Sequence, residues 1–272
     1  MQNGINHKFI QQSRSRNILF IVVGILFLSW LIFAPEGILG KADAIGYAVC
    51  HRIPSHSFVI GERPFPLCAR CSGMYLGAII GLIYQSFISW KASFMPPRRV
   101  IIILGIFVLF FAIDGMNSFL SLIPFTPTIY SPQNMIRLLS GTGMGIVIAA
   151  LIYPAFHQTV WRESVKKPAI SGIKILFGLI GILLILDFVI IHGSTLVLYP
   201  LALLSSTGVL ILLTIIYTIL WLILLKSENR YNSLSELTLP ATAGFGTAIL
   251  QVIVLSVIRY TLTGTWDGFN FF

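Results

Sequence analysis

Seven long apolar runs constrain this chain more than any other feature. They occupy roughly residues 17–34, 67–90, 100–122, 133–156, 172–192, 200–225 and 237–260. Each is close to the 20 or so residues an α-helix needs to cross the hydrocarbon core of a bilayer. None alternates polar and apolar residues as a barrel strand does. The fold class expected is therefore all-α: a polytopic transmembrane helical bundle whose helices satisfy their own backbone groups in lipid. Charged residues make up 10% of the chain, against about 25% in a soluble domain, which leaves no other class. The turns are short, as at Met95-Pro96-Pro97, and no internal repeat or long linker interrupts the pattern. The chain reads as one integral domain, 1–272, of a multi-pass protein of the cell membrane, with the lipid bilayer as its first partner.

The formal net charge is +9, but its distribution argues against a nucleic-acid partner. Basic residues sit in alternate loops, as the positive-inside rule requires. The N-terminal arm has Lys8, Arg14 and Arg16; the second loop has Lys91, Arg98 and Arg99; the fourth has Arg162, Lys166 and Lys167; the sixth has Lys226 and Arg230. The loops 121–132 and 193–199 have none. This predicts a cytoplasmic N-terminus and an extracytoplasmic C-terminus, with the mixed first loop outside. Ala42-Asp43-Ala44 has the small-x-small form of a cleavage site, but it lies too far beyond an apolar run that is itself too long for a signal peptide. The tail 261–272, with Trp266, Phe269, Phe271 and Phe272, reads as an interfacial or docked segment.

Residues 50–71, CHRIPSHSFVIGERPFPLCARC, hold all three cysteines and two of the five histidines. Cys68 and Cys71 fall in the first turn of the second span, where the helix N-terminus favours a thiolate. Helical spacing puts Cys68, Cys71, Ser72 and Tyr75 on one face and Gly73, Gly77 and Gly81 on the opposite one, a small-residue ridge for helix packing. The third span carries Asp114, Asn117, Ser118 and Ser121 near its outer end, and the fourth begins with Asn134 and Arg137, whose face Gly141 and Gly145 continue. Intramembrane charges normally face the bundle interior in pairs, so Asp114 is expected to pair with Arg137. That couple is the candidate catalytic pair. Arg70, Tyr75, Asn117 and Asn134 are candidate substrate-binding residues, Arg70 being placed either to bind a lipid phosphate or to snorkel. Asp187 and His192 fall near the same end, whereas His7 and His157 fall at the cytoplasmic end and require no special role.

The pattern C-H-x-x-P-x-x-S-F, then G, then P-x-C-A-R-C-x-G-x-Y-x-G resembles a known family. Its residues here are Cys50, His51, Pro54, Ser57, Phe58, Gly61, Pro66, Cys68, Ala69, Arg70, Cys71, Gly73, Tyr75 and Gly77. It is similar to domain-of-unknown-function family 2085, predicted polytopic membrane proteins of bacteria and archaea. Asp114-Gly115 and Asn134-x-x-Arg137-x-x-Ser140-Gly141 resemble its later motifs, so the likeness covers residues 45–148, while 170–272 adds further helices. Arg52 and His56 stand where Gln and Arg are more usual in the family. The resemblance implies no activity.

Three readings of the cysteines stand. Cys50, His51, Cys68 and Cys71 form a Cys₃His set, a common zinc composition; thiolates also suit Cu(I), though zinc leads. The second reading is thiol–disulfide exchange linked to a quinone, although three cysteines leave no second pair for a relay; a plain structural disulfide with one spare thiol is a variant of it. The third is transport or lipid binding at the Asp114–Arg137 pocket, with the cysteines shaping its mouth. A lipid or quinone is the ligand class these readings share. No Ser–His–Asp set or phosphate loop is present.

Overall fold

The computed structural model describes residues 2–268, with side chains from residue 16 onward. Eight α-helices follow in order: α1 (Gln2–Phe33), α2 (Gly37–Val49), α3 (Ala69–Ile88), α4 (Arg98–Leu120), α5 (Asn134–Val160), α6 (Ile173–His192), α7 (Thr195–Leu224) and α8 (Thr238–Thr263). Seven helical stretches are long and apolar enough to cross a membrane, matching the seven runs read from the sequence. The added helix, α2, is too short to span. Its Gly37, Gly40 and Gly46, with Lys41 and Asp43, read as loop in the sequence. The helix is stabilised by burying 42–47 against α7 and α8 rather than by its own propensity.

The short strands lie in the loops. At one end, β1 (Val59–Ile60) and β2 (Arg63–Pro64) form a two-stranded antiparallel hairpin. Gly61 turns it at φ +63°, a left-handed conformation natural to glycine. At the other end, β3 (Ala92–Phe94) pairs in parallel with β4 (Val165–Pro168), tying two of the basic loops together. The described part of the expected docked tail does dock. Trp266 packs on Tyr47 and Tyr260, at 5.0 and 5.6 Å between ring centroids. Phe269, Phe271 and Phe272 lie outside the described residues.

Helix α5 is the hub: 61% of its membrane window is buried, against 44% or less in every other span. Its main partner is α3, and small residues make that contact close. A Cβ at Gly145 would lie 2.5 Å from the Met74 carbonyl oxygen, and one at Gly141 only 2.0 Å from that of Arg70. Gly73 and Gly77 make the reciprocal approach to Leu138 and Thr142. In lipid there is no hydrophobic drive between helices, so such van der Waals fit holds them together. This contact fixes the start of α3, and with it the cysteines, against the start of α5.

Gly145→Leu is expected to destabilise the bundle by about 1–3 kcal/mol through overpacking. Gly105→Leu, at a position with nothing within 4 Å of a built Cβ, is expected to change stability little. Thermal unfolding of the two variants in one detergent compares them directly.

Candidate metal centre and its polar surround

Helix α2 ends at Val49, and Cys50 follows in extended conformation. The chain then turns sharply at Arg52, which takes a left-handed φ of +53°. That conformation is uncommon for a bulky residue, and neighbours hold it. The Arg52 guanidinium pairs with Asp43 at 2.9 Å and donates to the Trp266 carbonyl at 3.1 Å. A single 3₁₀ turn over Pro54–His56 and the β1–β2 hairpin bring the chain back to Cys68, the N-cap of α3.

The three cysteines converge. All are free, and their Sγ atoms lie within 4.8 Å of one another. A tetrahedral zinc with Zn–S near 2.3 Å sets its sulfurs roughly 3.8 Å apart, within reach of small side-chain adjustments. The backbone N–H of Cys68 donates to Cys50 Sγ at 3.3 Å. Hydrogen bonding from the Cys68 thiol, then from Cys71, holds the Cys50 thiol well below its ordinary pKa, with His51 adding to the effect. His51 lies beside Cys50 but outside the three-sulfur set: its Nε2 sits 3.3 Å from Nδ1 of His56. His56 is buried, and burial together with the charges of Arg137, His51 and Arg70 lowers its pKa to about 4, so its ring is neutral at pH 7. Tyr75 packs on the same cluster.

The expected ion pair between Asp114 and Arg137 is replaced by another. Asp114 pairs with Arg70, accepting Nη2 at 2.6 Å and Nε at 2.9 Å on one oxygen. Ser140 donates to that oxygen at 2.8 Å, and the Tyr130 hydroxyl to the other at 2.7 Å. Burial, then the Asp114 carboxylate, pushes the Tyr130 phenol up to about 12, so it remains a donor. Asp114 thus accepts from three side chains, Arg70, Tyr130 and Ser140. The reason for the exchange is the approach of α3 to Gly141, which carries the Arg70 side chain across to α4. Arg137 instead donates to Asn134 Oδ1 at 2.8 Å and to Ser118 Oγ at 3.4 Å, and no carboxylate pairs with it among the described residues.

Asn117 and Asn134 serve the protein's own loops. Asn117 accepts the Ile129 N–H at 2.7 Å and donates to the Tyr130 carbonyl at 2.9 Å. Asn134 donates to the carbonyls of Ser55 and Ser57, both at 3.2 Å. Asp187 stands apart from the cysteines: it accepts the Thr142 hydroxyl at 2.8 Å between α5 and α6. His192 packs against Phe188, the two rings tilted by 47°. At the far end His157 is buried among Trp90, Tyr153, Phe156 and Trp161, accepting the Trp161 indole N–H.

One contributor escapes any local reading of the sequence. Arg259, near the end of α8, donates to the carbonyls of Tyr47, Cys50 and His51 at 2.7, 2.5 and 3.1 Å. It also stacks on the Tyr47 ring, 4.1 Å from its centroid. Its only sequence signal is a lone arginine near the end of an apolar run.

The family model described as a predicted membrane protein, DUF2085, matches residues 50–151, from the first cysteine to well along α5. An uncharacterized protein of Methanothermobacter thermautotrophicus is 30% identical over 103 residues, covering 38% of this chain and 83% of the relative. The chain belongs to the DUF2085 family. A second relative, an uncharacterized protein of Methanocaldococcus jannaschii, is 27% identical over 120 residues, 44% of this chain and 71% of the relative. No solved structure matches. The DUF2085 match takes in the cysteines, Arg70, Asp114 and Arg137, while α7, α8 and Arg259 lie outside it.

Stability measured in double-mutant cycles separates the two arginines. Coupling of about 1–3 kcal/mol is expected between Asp114→Asn and Arg70→Gln, as for contacting groups in one network. A smaller coupling is expected between Asp114→Asn and Arg137→Gln, which share Ser118 and Ser140 as neighbours but no direct bond.

Proposed function

We propose that this DUF2085 protein holds a thiolate-bound metal ion, zinc first, at Cys50, Cys68 and Cys71 on the extracytoplasmic side of the membrane. The centre serves a membrane-borne small molecule in the cleft beside it. The observation that carries this reading is the convergence of three sulfurs from two separated segments of chain within 4.8 Å. The donor set suits the ion. Three thiolates select zinc or Cu(I) over harder ions, and the Cys68 N–H that donates to Cys50 Sγ is the kind of hydrogen bond that orients a metal-bound thiolate. A divalent ion on three thiolates carries one net negative charge, and Arg137, a buried cation with no carboxylate partner among the described residues, lies within electrostatic reach of Cys68. His51 is the nearest candidate for a fourth ligand. With His51 bound the site is closed and structural; with that position left to a ligand, the ion supplies Lewis acidity. Arg70 and His56 then orient the ligand.

Protein purified without chelator is expected to contain about one zinc per chain, and Cys68→Ser to lose it, by elemental analysis alongside thiol titration. A metal-free protein with a Cys68–Cys71 or Cys50-linked disulfide would instead favour thiol–disulfide chemistry with a quinone as electron acceptor. The sidedness has its own check. Glu62→Cys, at an exposed turn, is expected to react with an impermeant maleimide in intact cells above the wild-type background.

A further inference from the structure

A cleft of about 370 Å³ opens beside the cysteine loop. His51, His56 and Arg70 supply its polar part, and Phe119, Leu122 and Ile123 its apolar part. That volume lies within the range of small-molecule pockets.

The polar part offers unused donors. Arg70 gives Nε and Nη2 to Asp114 and Ser118, but its Nη1 finds no acceptor among the described residues. Residue 115, which also lines the cleft, is a glycine. A Cβ built there would meet only Arg70 Nη1, at 4.0 Å, so the absent side chain leaves that nitrogen uncovered. His56 meets His51 through Nδ1; in the tautomer in which Nδ1 accepts, Nε2 carries the ring proton, and that nitrogen has no partner among the described residues. The apolar part looks the other way. Phe119 is 58% exposed and Ile123 42% exposed, and only 22% of the α4 membrane window is buried, so this side of the bundle faces lipid. A guanidinium edge beside an imidazole suits phosphate oxygens, and a lipid-facing apolar rim suits a hydrocarbon chain. Asp114 already offsets the Arg70 charge, so what favours phosphate oxygens here is the open Nη1 donor beside the imidazole.

We propose that the cleft binds a phosphate-headed amphiphile from the surrounding leaflet, its headgroup on Arg70 and His56 and its chain across Phe119 and Ile123. This deepens the preceding reading by naming the ligand class of the same site. It rests on that reading for a membrane-borne ligand, and not for the metal.

Native mass spectrometry of the full chain in detergent tests it with three probes: dioctanoyl phosphatidic acid, dioctanoylglycerol and inorganic phosphate. One phosphatidate per chain is expected, bound at least tenfold more tightly than dioctanoylglycerol. Ile123→Glu, at an exposed position past the end of α4, and His56→Leu are each expected to weaken phosphatidate binding at least tenfold. Equal binding of phosphatidate and dioctanoylglycerol would overturn the proposal, as would wild-type binding by both variants. Displacement of phosphatidate by inorganic phosphate at equal concentration would assign the same phosphate chemistry to a soluble anion, and would overturn the amphiphile. Zinc and thiols measured on the same samples keep the two readings apart. Zinc absent with selective phosphatidate binding removes only the metal; zinc present without selectivity removes only the amphiphile.

Discussion

The backbone contact between α3 and α5 sets the geometry of everything at the cysteine end. Glycines on both helices let main chain meet main chain, and a close fit is the means by which helices associate where lipid is as apolar as they are. Because Gly141 lies against the Arg70 carbonyl, the depth of α3 relative to α5 is fixed to within a fraction of a turn. That depth sends the Arg70 guanidinium to α4 and leaves Arg137 beside its own helix's first turn. Cys68 and Cys71, one turn of helix apart, follow the same anchor. The small-residue face and the chemical face of α3 therefore form one device, since the first determines where the second stands.

Around that anchor, the buried charges organise loops. Asp114 gathers an arginine, a tyrosine and a serine from three parts of the chain, and each donor offsets part of the cost of holding a carboxylate away from water. Ser118 receives both Arg70 and Arg137 and so links the two cations. Asn117 and Asn134 extend the network outward to the backbones of the α4–α5 loop and the cysteine loop. Polar atoms that could face a ligand are thereby reduced to a few at one edge of Arg70 and His56.

The seven spans were legible because a bilayer sets a length, and apolar length is read along one dimension. The cysteine cluster was legible for a related reason. A C-x-x-C at a helix start has known geometry, and a short loop limits how far Cys50 can stray. That α3 packs closely through Gly73, Gly77 and Gly81 was legible from their four-residue spacing; that the partner is α5 was not. The partner of Asp114 was not legible, because both arginines lie near its depth and only the lateral placement of α3 decides between them. Helix α2 was missed because tertiary burial, not its glycine-rich sequence, stabilises it. His51 was read with the cysteines, whereas its ring sits against His56, whose place in the cluster depends on the turn at Arg52. Arg259 was hidden because two hundred residues separate it from the carbonyls it grips.

That separation has a consequence for how the protein is made. Cys50, Cys68 and Cys71 are all translated before the fourth span begins, but the guanidinium that fastens the carbonyls of Tyr47, Cys50 and His51 arrives with the last one. Until that final helix is threaded into the bilayer, the thiol loop lacks its clasp. The cysteine loop accordingly receives these three bonds only once α8 has joined the bundle.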